Sequence, residues 1–466
     1  MPKPLPGKAV KIEPTIHALF EDEVEGALAA LKPAQSAFLA ARKFTGKAAS
    51  LVVLPGDGGK GEGSVMQAFF GLGARGDYSP LTFRALASQL PAIRWALKAD
   101  DGLDRHAIHA AWHQGAYRFD RYKSGEPKEV ATLDDSDLPD PGALEAEVRA
   151  HNFVRDLVNT PANDMGPADI ADAAFALSLR HGAEFNVTIG DELLTENYPA
   201  IHAVGRAAAE DRAPRFIELS WQGPGPSTPT VVLVGKGVAF DTGGLNIKTT
   251  GMGLMKKDMG GAAHALALGD WIMSCRLPVR LHILIAAVEN AISGSAMRPG
   301  DILASRAGLS IEMGNSDAEG RLILADALTR AGELEPNLTI DFATLTGAAR
   351  VALGPEVIPF YCDDEDIARR LEVCALAHND PVWRMPLWPG YKDALDSDIA
   401  DIRNDPAAWA QAGSVTAAMF LQRFAPKTGA WVHFDIYAWN PRGRAGWPVG
   451  AEAQALRAVY HLIGGL

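Results

Sequence analysis

Cysteine is scarce in this chain. Its 466 residues include three, Cys275, Cys362 and Cys374, scattered and without a C-x-x-C pair. That excludes a disulfide framework and a thiolate zinc site, and it fits a reducing compartment. No run of about 18 apolar residues occurs, so a membrane-spanning helix is excluded. Met1-Pro2-Lys3-Pro4-Leu5-Pro6 has no apolar signal core behind it, so no secretory leader is expected. Basic residues are outnumbered, 44 against 57 acidic ones, leaving a formal net charge of −13. An acidic chain repels phosphate backbones, which argues against nucleic acid as a partner. H-E-x-x-H is missing, which rules out a zincin site. Internal repeats and low-complexity tracts are missing too. What remains is a cytoplasmic globular protein: 47% hydrophobic and 22% charged residues are ordinary for one, and the length suits two or three domains.

The expected fold class is α/β. Leu51–Leu54 and residues 64–72 read as strands, joined by the glycine-rich segment 56–63. That segment lacks the G-x4-G-K-[ST] order of a phosphate loop and reads as a hairpin turn. Helical patterns near 80–98 and 103–117 complete a first domain over residues 1–140. The acid-, proline- and glycine-rich stretch 132–142 reads as a linker, and a helix over about 143–158 carries the chain onward within a 141–160 connection. Residues 161–466 form the second domain. Apolar runs at 230–234, 281–287, 338–343 and 430–436 suit buried parallel strands. They alternate with helical patterns near 260–273, 321–332, 366–377 and 413–424, which predicts a mostly parallel sheet flanked by helices. Lys236 and Thr344 then fall just past strand ends, where open α/β sheets bind ligands.

The densest chemistry lies in Asn315-Ser316-Asp317-Ala318-Glu319-Gly320-Arg321-Leu322. In an extended backbone Asp317, Glu319 and Arg321 point to one face, which suits a cation site with an anion beside it. About eighty residues upstream lies a second cluster, Val234-Gly235-Lys236-Gly237-Val238-Ala239-Phe240-Asp241-Thr242-Gly243-Gly244, then Lys248, then Met255-Lys256-Lys257-Asp258-Met259-Gly260-Gly261. Four carboxylates, Asp241, Asp258, Asp317 and Glu319, neutralise two divalent cations, which points to a two-metal hydrolase. They are hard oxygen donors suited to zinc, manganese, magnesium or cobalt. For Asp258, a helix N-cap is the competing role. Other signals are weaker. His106, His109 and His113 share one helical face, where packing against a neighbour is a better reading than a metal. Asp363-Asp364-Glu365-Asp366 reads as a solvated helix start.

These blocks resemble the leucyl aminopeptidase family of metallopeptidases, the M17 type. The resemblance rests on GKG-x3-DTGG, the lysine seven residues after its aspartate, K-x-DMGGAA and N-[TS]-DAEGRL, in that order. It extends to Val158–Asn163, Asp341–Ala348 and Gly413–Ala418, covering roughly residues 150 to 466. Two departures stand out. Ser316 occupies a position where threonine is commoner, which keeps the hydroxyl. The interval from Lys248 to Asp258 is one residue shorter than in well-known members, which bears on the pocket loop 249–254.

The resemblance implies an exopeptidase that releases leucine-like N-terminal residues from peptides through a metal-activated water. Two divalent ions, zinc or manganese before magnesium or cobalt, would be held by Lys236, Asp241, Asp258, Asp317 and Glu319. Lys236 would serve as a neutral amine, which a neighbouring cation can impose. Lys248 would stay cationic and steady the oxyanion. Arg321 would hold a bicarbonate that relays the proton. Thr344, Leu345, Thr346 and Gly347 would seat the substrate backbone. Met255 would line the pocket for the first side chain, and Asn315 would orient its loop. A macro-like α/β first domain without a catalytic role and a homohexamer are implied as well. Two other readings stay open: a narrow dipeptidase such as a Cys-Gly hydrolase, and a DNA-binding role of the kind some relatives have, which the net charge opposes.

Overall fold

The computed structural model describes residues 14–54, 66–126, 128–136, 138–226, 228–406 and 409–466. The chain divides into two compact units, Met1–Leu144 with Arg442–Pro448, and Glu145–Pro441 with Val449–Leu466. The helix Pro141–Asn159 crosses that boundary.

In the first unit, strands β1 (Thr15–Phe20), β2 (Leu51–Leu54), β3 (Gln67–Gly73), β4 (Arg94–Lys98) and β5 (Thr132–Leu133) form one sheet in the order β2-β3-β1-β4-β5. Alternate residues of β1 turn inward, and Ile16, Ala18, Phe70, Trp95 and Trp112 meet in its core. The helix expected over 80–98 does not form. A short 3-10 turn, Pro80–Ala85, is followed by β4, which pairs in parallel with β1 and sets Thr15 opposite Ala96. Pro91 cannot extend a helix, and the alternating Arg94–Lys98 suits a strand. The expected linker also starts as structure, because Thr132-Leu133 pairs with Arg94-Trp95. The expected second helix runs from Arg105 to Ala116. His109 and His113 share the Asp135 carboxylate, His113 Nε2 lying 3.2 Å from it, so these rings have a carboxylate partner. Residues 1–6 and 56–63 lie outside the described residues.

The second unit adds β6 (Glu184–Ile189), β7 (Arg215–Gln222), β8 (Thr230–Asp241), β9 (Arg280–Asn290), β10 (Ile302–Ala304), β11 (Ser310–Glu312), β12 (Leu338–Ala343), β13 (Ile358–Cys362), β14 (Val382–Arg384), β15 (Ile402–Arg403) and β16 (Ala430–Asp435). Among the described residues eight of them make the main sheet, in the order β14-β13-β16-β12-β8-β9-β7-β6. The central run β16-β12-β8-β9 is parallel, and antiparallel pairings appear toward the two sides. Val231 and Leu233 of β8 enter one core while Val232 and Val234 enter another, so both faces of the strand are covered. That double burial is why the strand reads as an unbroken apolar run. The helix Gly260–Ser274 packs closely on β8: a Cβ on Gly235 would come 2.6 Å from Ala262 Cα.

β8 is longer than expected. It continues past Val234 to Asp241, so Lys236 lies within the strand and not beyond its end. Its long pairing with β9, through Lys236 opposite Ala286 and Asp241 opposite Asn290, holds the extra residues extended. A small sheet, β10-β11-β15, stands beside the main one. There β11 and β15 run parallel with Glu312 opposite Arg403, which brings the segment after Glu312 alongside Asn404. Among the described residues, no helix is long and apolar enough to cross a membrane.

Candidate active site and metal centre

Four parallel strands end on one edge of the main sheet, and each end supplies a polar group. Asp241 ends β8, Asn290 ends β9, Thr344 follows β12 and Asp435 ends β16. This is the edge where open α/β sheets gather ligands. Asp258 joins them from a 3-10 turn, Met252–Met259, and Asp317 and Glu319 from the loop beyond β11. One oxygen each from Asp241, Asp317 and Glu319 lie within 4.8 Å of one another.

The two lysines divide the four carboxylates between them. Lys236 Nζ is 2.9 Å from Asp258 Oδ2, 3.1 Å from Glu319 Oε1, and donates to Thr344 O at 3.1 Å. Lys248 Nζ is 2.7 Å from Asp241 Oδ2 and pairs with Asp317 Oδ1. Lys236 reaches its partners over Gly320, where a Cβ would lie 2.5 Å from Lys236 Cε. Any other residue at 320 would push the amine away.

Electrostatics follow from the crowding. Burial pulls the Lys236 ammonium down, but Asp258, Glu319 and Asp241 outweigh it and hold the amine well above its ordinary range. The resemblance implies a neutral amine there, which a bound cation would have to impose against these carboxylates. Lys248 is likewise raised, burial being overcome by Asp241 and Asp317. Burial, then the Asp241 charge, pushes the Glu319 carboxyl up to about 8, and the same two causes raise Asp317. Burial also opposes the Asp258 charge, yet Lys236 and Lys257 hold that carboxyl below the usual range. Asp258 does not cap the following helix; its Oδ1 accepts from Thr344 Oγ1 at 2.8 Å.

The extended segment expected at 317–321 is absent. Asn315 Oδ1 accepts from Asp317 N at 2.9 Å, which bends the chain into a turn, and Gly320 starts the helix Gly320–Gly332. Asp317 and Glu319 still converge. Arg321, in the helix's first turn, donates Nη1 to Asn404 O at 2.6 Å, and its buried Nε lacks a hydrogen-bond partner. Among the described residues Arg321 makes no ion pair, although burial draws its guanidinium down to about 10. Asn315 bonds within its own loop, Leu345 and Thr346 belong to a turn held by Asp435, Gly347 opens the short helix Gly347–Leu353, and Met255 is half-buried in the 3-10 turn.

Three residues escaped the sequence reading. Asn290 Nδ2 donates to Asp241 Oδ1 at 2.8 Å and to Ser316 O at 3.0 Å. Asn404 accepts from Gly314 N at 2.7 Å and Asn315 N at 3.2 Å, and donates to Asn315 O at 2.8 Å. Asp435 accepts from Leu345 N at 3.1 Å, Thr346 N at 3.0 Å, Thr346 Oγ1 at 2.6 Å and Ser414 Oγ at 2.9 Å. The position of Asp435 at the end of an apolar run was the one available signal. Ser316, fully buried, donates to Gly243 O at 2.7 Å and accepts from Asn246 N at 2.7 Å, tying the two motif loops together.

The donor set fits divalent cations. Glu319 Oε2 is buried without a hydrogen bond, and Asp258 Oδ2, although 2.9 Å from Lys236 Nζ, lacks hydrogen-bond alignment with it. Buried carboxylate oxygens of this kind are costly unless a cation or donor satisfies them. Both lysines supply positive charge to the cluster.

Two family models match the chain. The one described as the cytosol aminopeptidase family, catalytic domain, covers residues 152–460, and the M17 aminopeptidase N-terminal domain covers residues 14–134. A probable cytosol aminopeptidase of Syntrophotalea carbinolica is 40% identical over 365 residues, covering 75% of this chain and 72% of the relative. One from Roseiflexus castenholzii is 40% identical over 366 residues, covering 74% of each. Among solved structures, the cytosol aminopeptidase from Coxiella burnetii superposes with a TM-score of 0.90 at 39% identity, covering 98% of both chains. The bottromycin maturation enzyme BotP in complex with Mn gives 0.85 at 30% identity, covering 98% of this chain and 99% of that one.

Proposed function

The chain belongs to the cytosol aminopeptidase family, and from that premise we propose a metal-dependent aminopeptidase that releases leucine-like N-terminal residues from peptides. That it is a peptidase follows from the family. One observation carries the finer reading: four buried or half-buried carboxylates converge at strand ends around two lysines, with buried oxygens left unsatisfied. The relative solved in complex with Mn supports a divalent cation at such a site.

Lys236, Asp241, Asp258, Asp317 and Glu319 would hold two cations, zinc or manganese before magnesium or cobalt. When bound, they supply Lewis acidity and a nucleophilic hydroxide at neutral pH. The chain's own groups do the rest. Lys248 keeps its charge and steadies the oxyanion of the tetrahedral intermediate. The turn Thr344–Gly347, stiffened by Asp435, seats the substrate backbone. Arg321 binds a planar anion, bicarbonate in our reading, which accepts the proton released on attack and passes it to the leaving amine. Its unpartnered Nε is free for that anion. With the cations bound, a substrate's free α-amine would serve as a metal ligand, which an internal amide nitrogen does poorly, and that would restrict cleavage to N-termini. Met255 lines the side-chain pocket. A homohexamer and a cytoplasmic location belong to this reading as well.

Leu-amide and N-acetyl-Leu-amide, assayed with the metal-loaded protein, test it. Cleavage of the first alone is expected. Comparable turnover of both would replace the aminopeptidase with an amidase or endopeptidase.

A further inference from the structure

Lys256, Lys257 and Arg350 gather around two aromatic rings. Lys257 Nζ lies 5.5 Å from the Tyr437 ring centroid and the Arg350 guanidinium 4.3 Å from the same ring, while Lys256 Nζ lies 5.7 Å from Trp439. The hydrogen bonds of this group go to carbonyls, Lys256 to Asn159 O at 2.6 Å and Arg350 to Thr346 O at 3.2 Å. Among the described residues, neither Lys256 nor Arg350 makes an ion pair. The carboxylate nearest Lys257 is Asp258, at 4.0 Å, and that group already faces Lys236 and Thr344. Lys257 is 2% exposed. Cations this buried normally have a dedicated counter-charge. A positive cluster whose one carboxylate within 4.0 Å, among the described residues, is shared with Lys236 is a local reversal of sign in a chain of net charge −13.

Two links tie the cluster to the reaction centre. Lys257 adjoins Asp258 in one 3-10 turn, and Arg350 bonds the segment that includes Thr344 and Gly347. Tyr437 and Arg350 are half-buried and remain reachable. A guanidinium offers a fork matched to a carboxylate, and an ammonium beside it adds a point charge.

We propose that Lys257 and Arg350, mounted on Tyr437, form a carboxylate-binding subsite, so that the preferred peptides carry a carboxylate next to the scissile bond. This rests on the aminopeptidase reading, and an acidic first side chain would replace its leucine-like preference. The carboxylate has two possible sources, an acidic first side chain or the terminus of a dipeptide.

Four substrates separate them: Glu-Ala-amide against Gln-Ala-amide for the side chain, and Leu-Ala against Leu-Ala-amide for the terminus. Values of kcat/KM are compared for the metal-loaded wild type, Lys257→Met, Arg350→Met and Lys257→Arg. The wild type is expected to favour the charged member of one pair by about tenfold or more, the scale of a hydrogen bond to a charged group. Both neutral variants should drive that ratio toward one, and Lys257→Arg should retain it. Ratios within one variant cancel differences in folded fraction. No preference in either pair, or a ratio that survives both neutral variants, overturns the subsite while leaving the aminopeptidase intact. No cleavage of any of the four by the wild type overturns both.

Discussion

Arg321 donates Nη1 to the backbone carbonyl of Asn404 at 2.6 Å, and the Asn404 side chain clasps the loop that precedes Asp317 and Glu319. One residue therefore holds both Arg321, through its backbone carbonyl, and the acidic loop, through its side-chain amide. Asn404→Ala would strand part-buried backbone groups at Gly314 and Asn315. We expect a loss of about 1–3 kcal/mol in stability, the cost of buried donors and acceptors without partners, together with a fall in kcat. Urea unfolding and steady-state kinetics check this; a variant with the wild-type unfolding midpoint would show that the clasp carries no weight.

Chelation should abolish activity without unfolding the protein. Lys236 and Lys248 already face all four carboxylates, so the cluster keeps counter-charges when cations leave. Elemental analysis after reloading should return two divalent ions per chain, and far-ultraviolet circular dichroism should not change on their removal. Glu319→Gln should lower metal content yet leave the metal-free protein at least as stable as wild type. Burial and the Asp241 charge already push this carboxyl up to about 8, so its ionised form is disfavoured there. Stoichiometry well below two at saturating metal would sink the two-cation site.

Lys248 and Arg321 should act on the reaction and not on metal retention. Lys248→Ala removes one oxyanion partner, an effect of roughly 10²–10³ in kcat for comparable donors. Arg321→Ala should cost less, since solvent can partly replace the relay, and should weaken any dependence of rate on added bicarbonate. Metal content of both variants should match wild type. If Lys248→Ala loses a cation, the two lysines have exchanged roles.

Stability should fall in mild acid through His264. Its Nδ1 donates to Gly260 O at 2.7 Å and its Nε2 accepts from Gln454 N at 3.0 Å, a pairing that requires the neutral ring. Burial lowers this imidazole from 6.5 to about 4. A folded value below the unfolded one means that the unfolded chain binds the proton first. The contribution is complete above pH 6.5, declines as pH falls, and is lost below about 4, on the order of 3 kcal/mol in all. Chemical denaturation of wild type and His264→Gln between pH 4 and 7 checks the slope; equal slopes would remove His264 from the account.

The sequence by itself named the charged residues that the fold brings together. Asp241, Asp258, Asp317 and Glu319 were legible as a cluster of charge in glycine-rich, apolar surroundings, and Lys236 and Lys248 through the resemblance to a known family. The alternating apolar and helical runs likewise determined the α/β class, since strands covered on both faces must be apolar throughout. Tertiary structure decided the rest. It extended β8 through Lys236, because pairing with β9 held residues that their glycines left free. It bent 315–319 into a turn that local alternation did not foretell, because the Asn315 side chain competes with an extended backbone. It also chose the pairing, Lys236 with Asp258 and Glu319, Lys248 with Asp241 and Asp317. Asn290, Asn404 and Asp435 were not legible as supports. Asn404 meets Arg321 across 83 residues of sequence and Asn290 meets Asp241 across 49. A lone amide has no periodicity and no local partner. Its role exists only once parallel strands and the small sheet bring distant segments within hydrogen-bond reach.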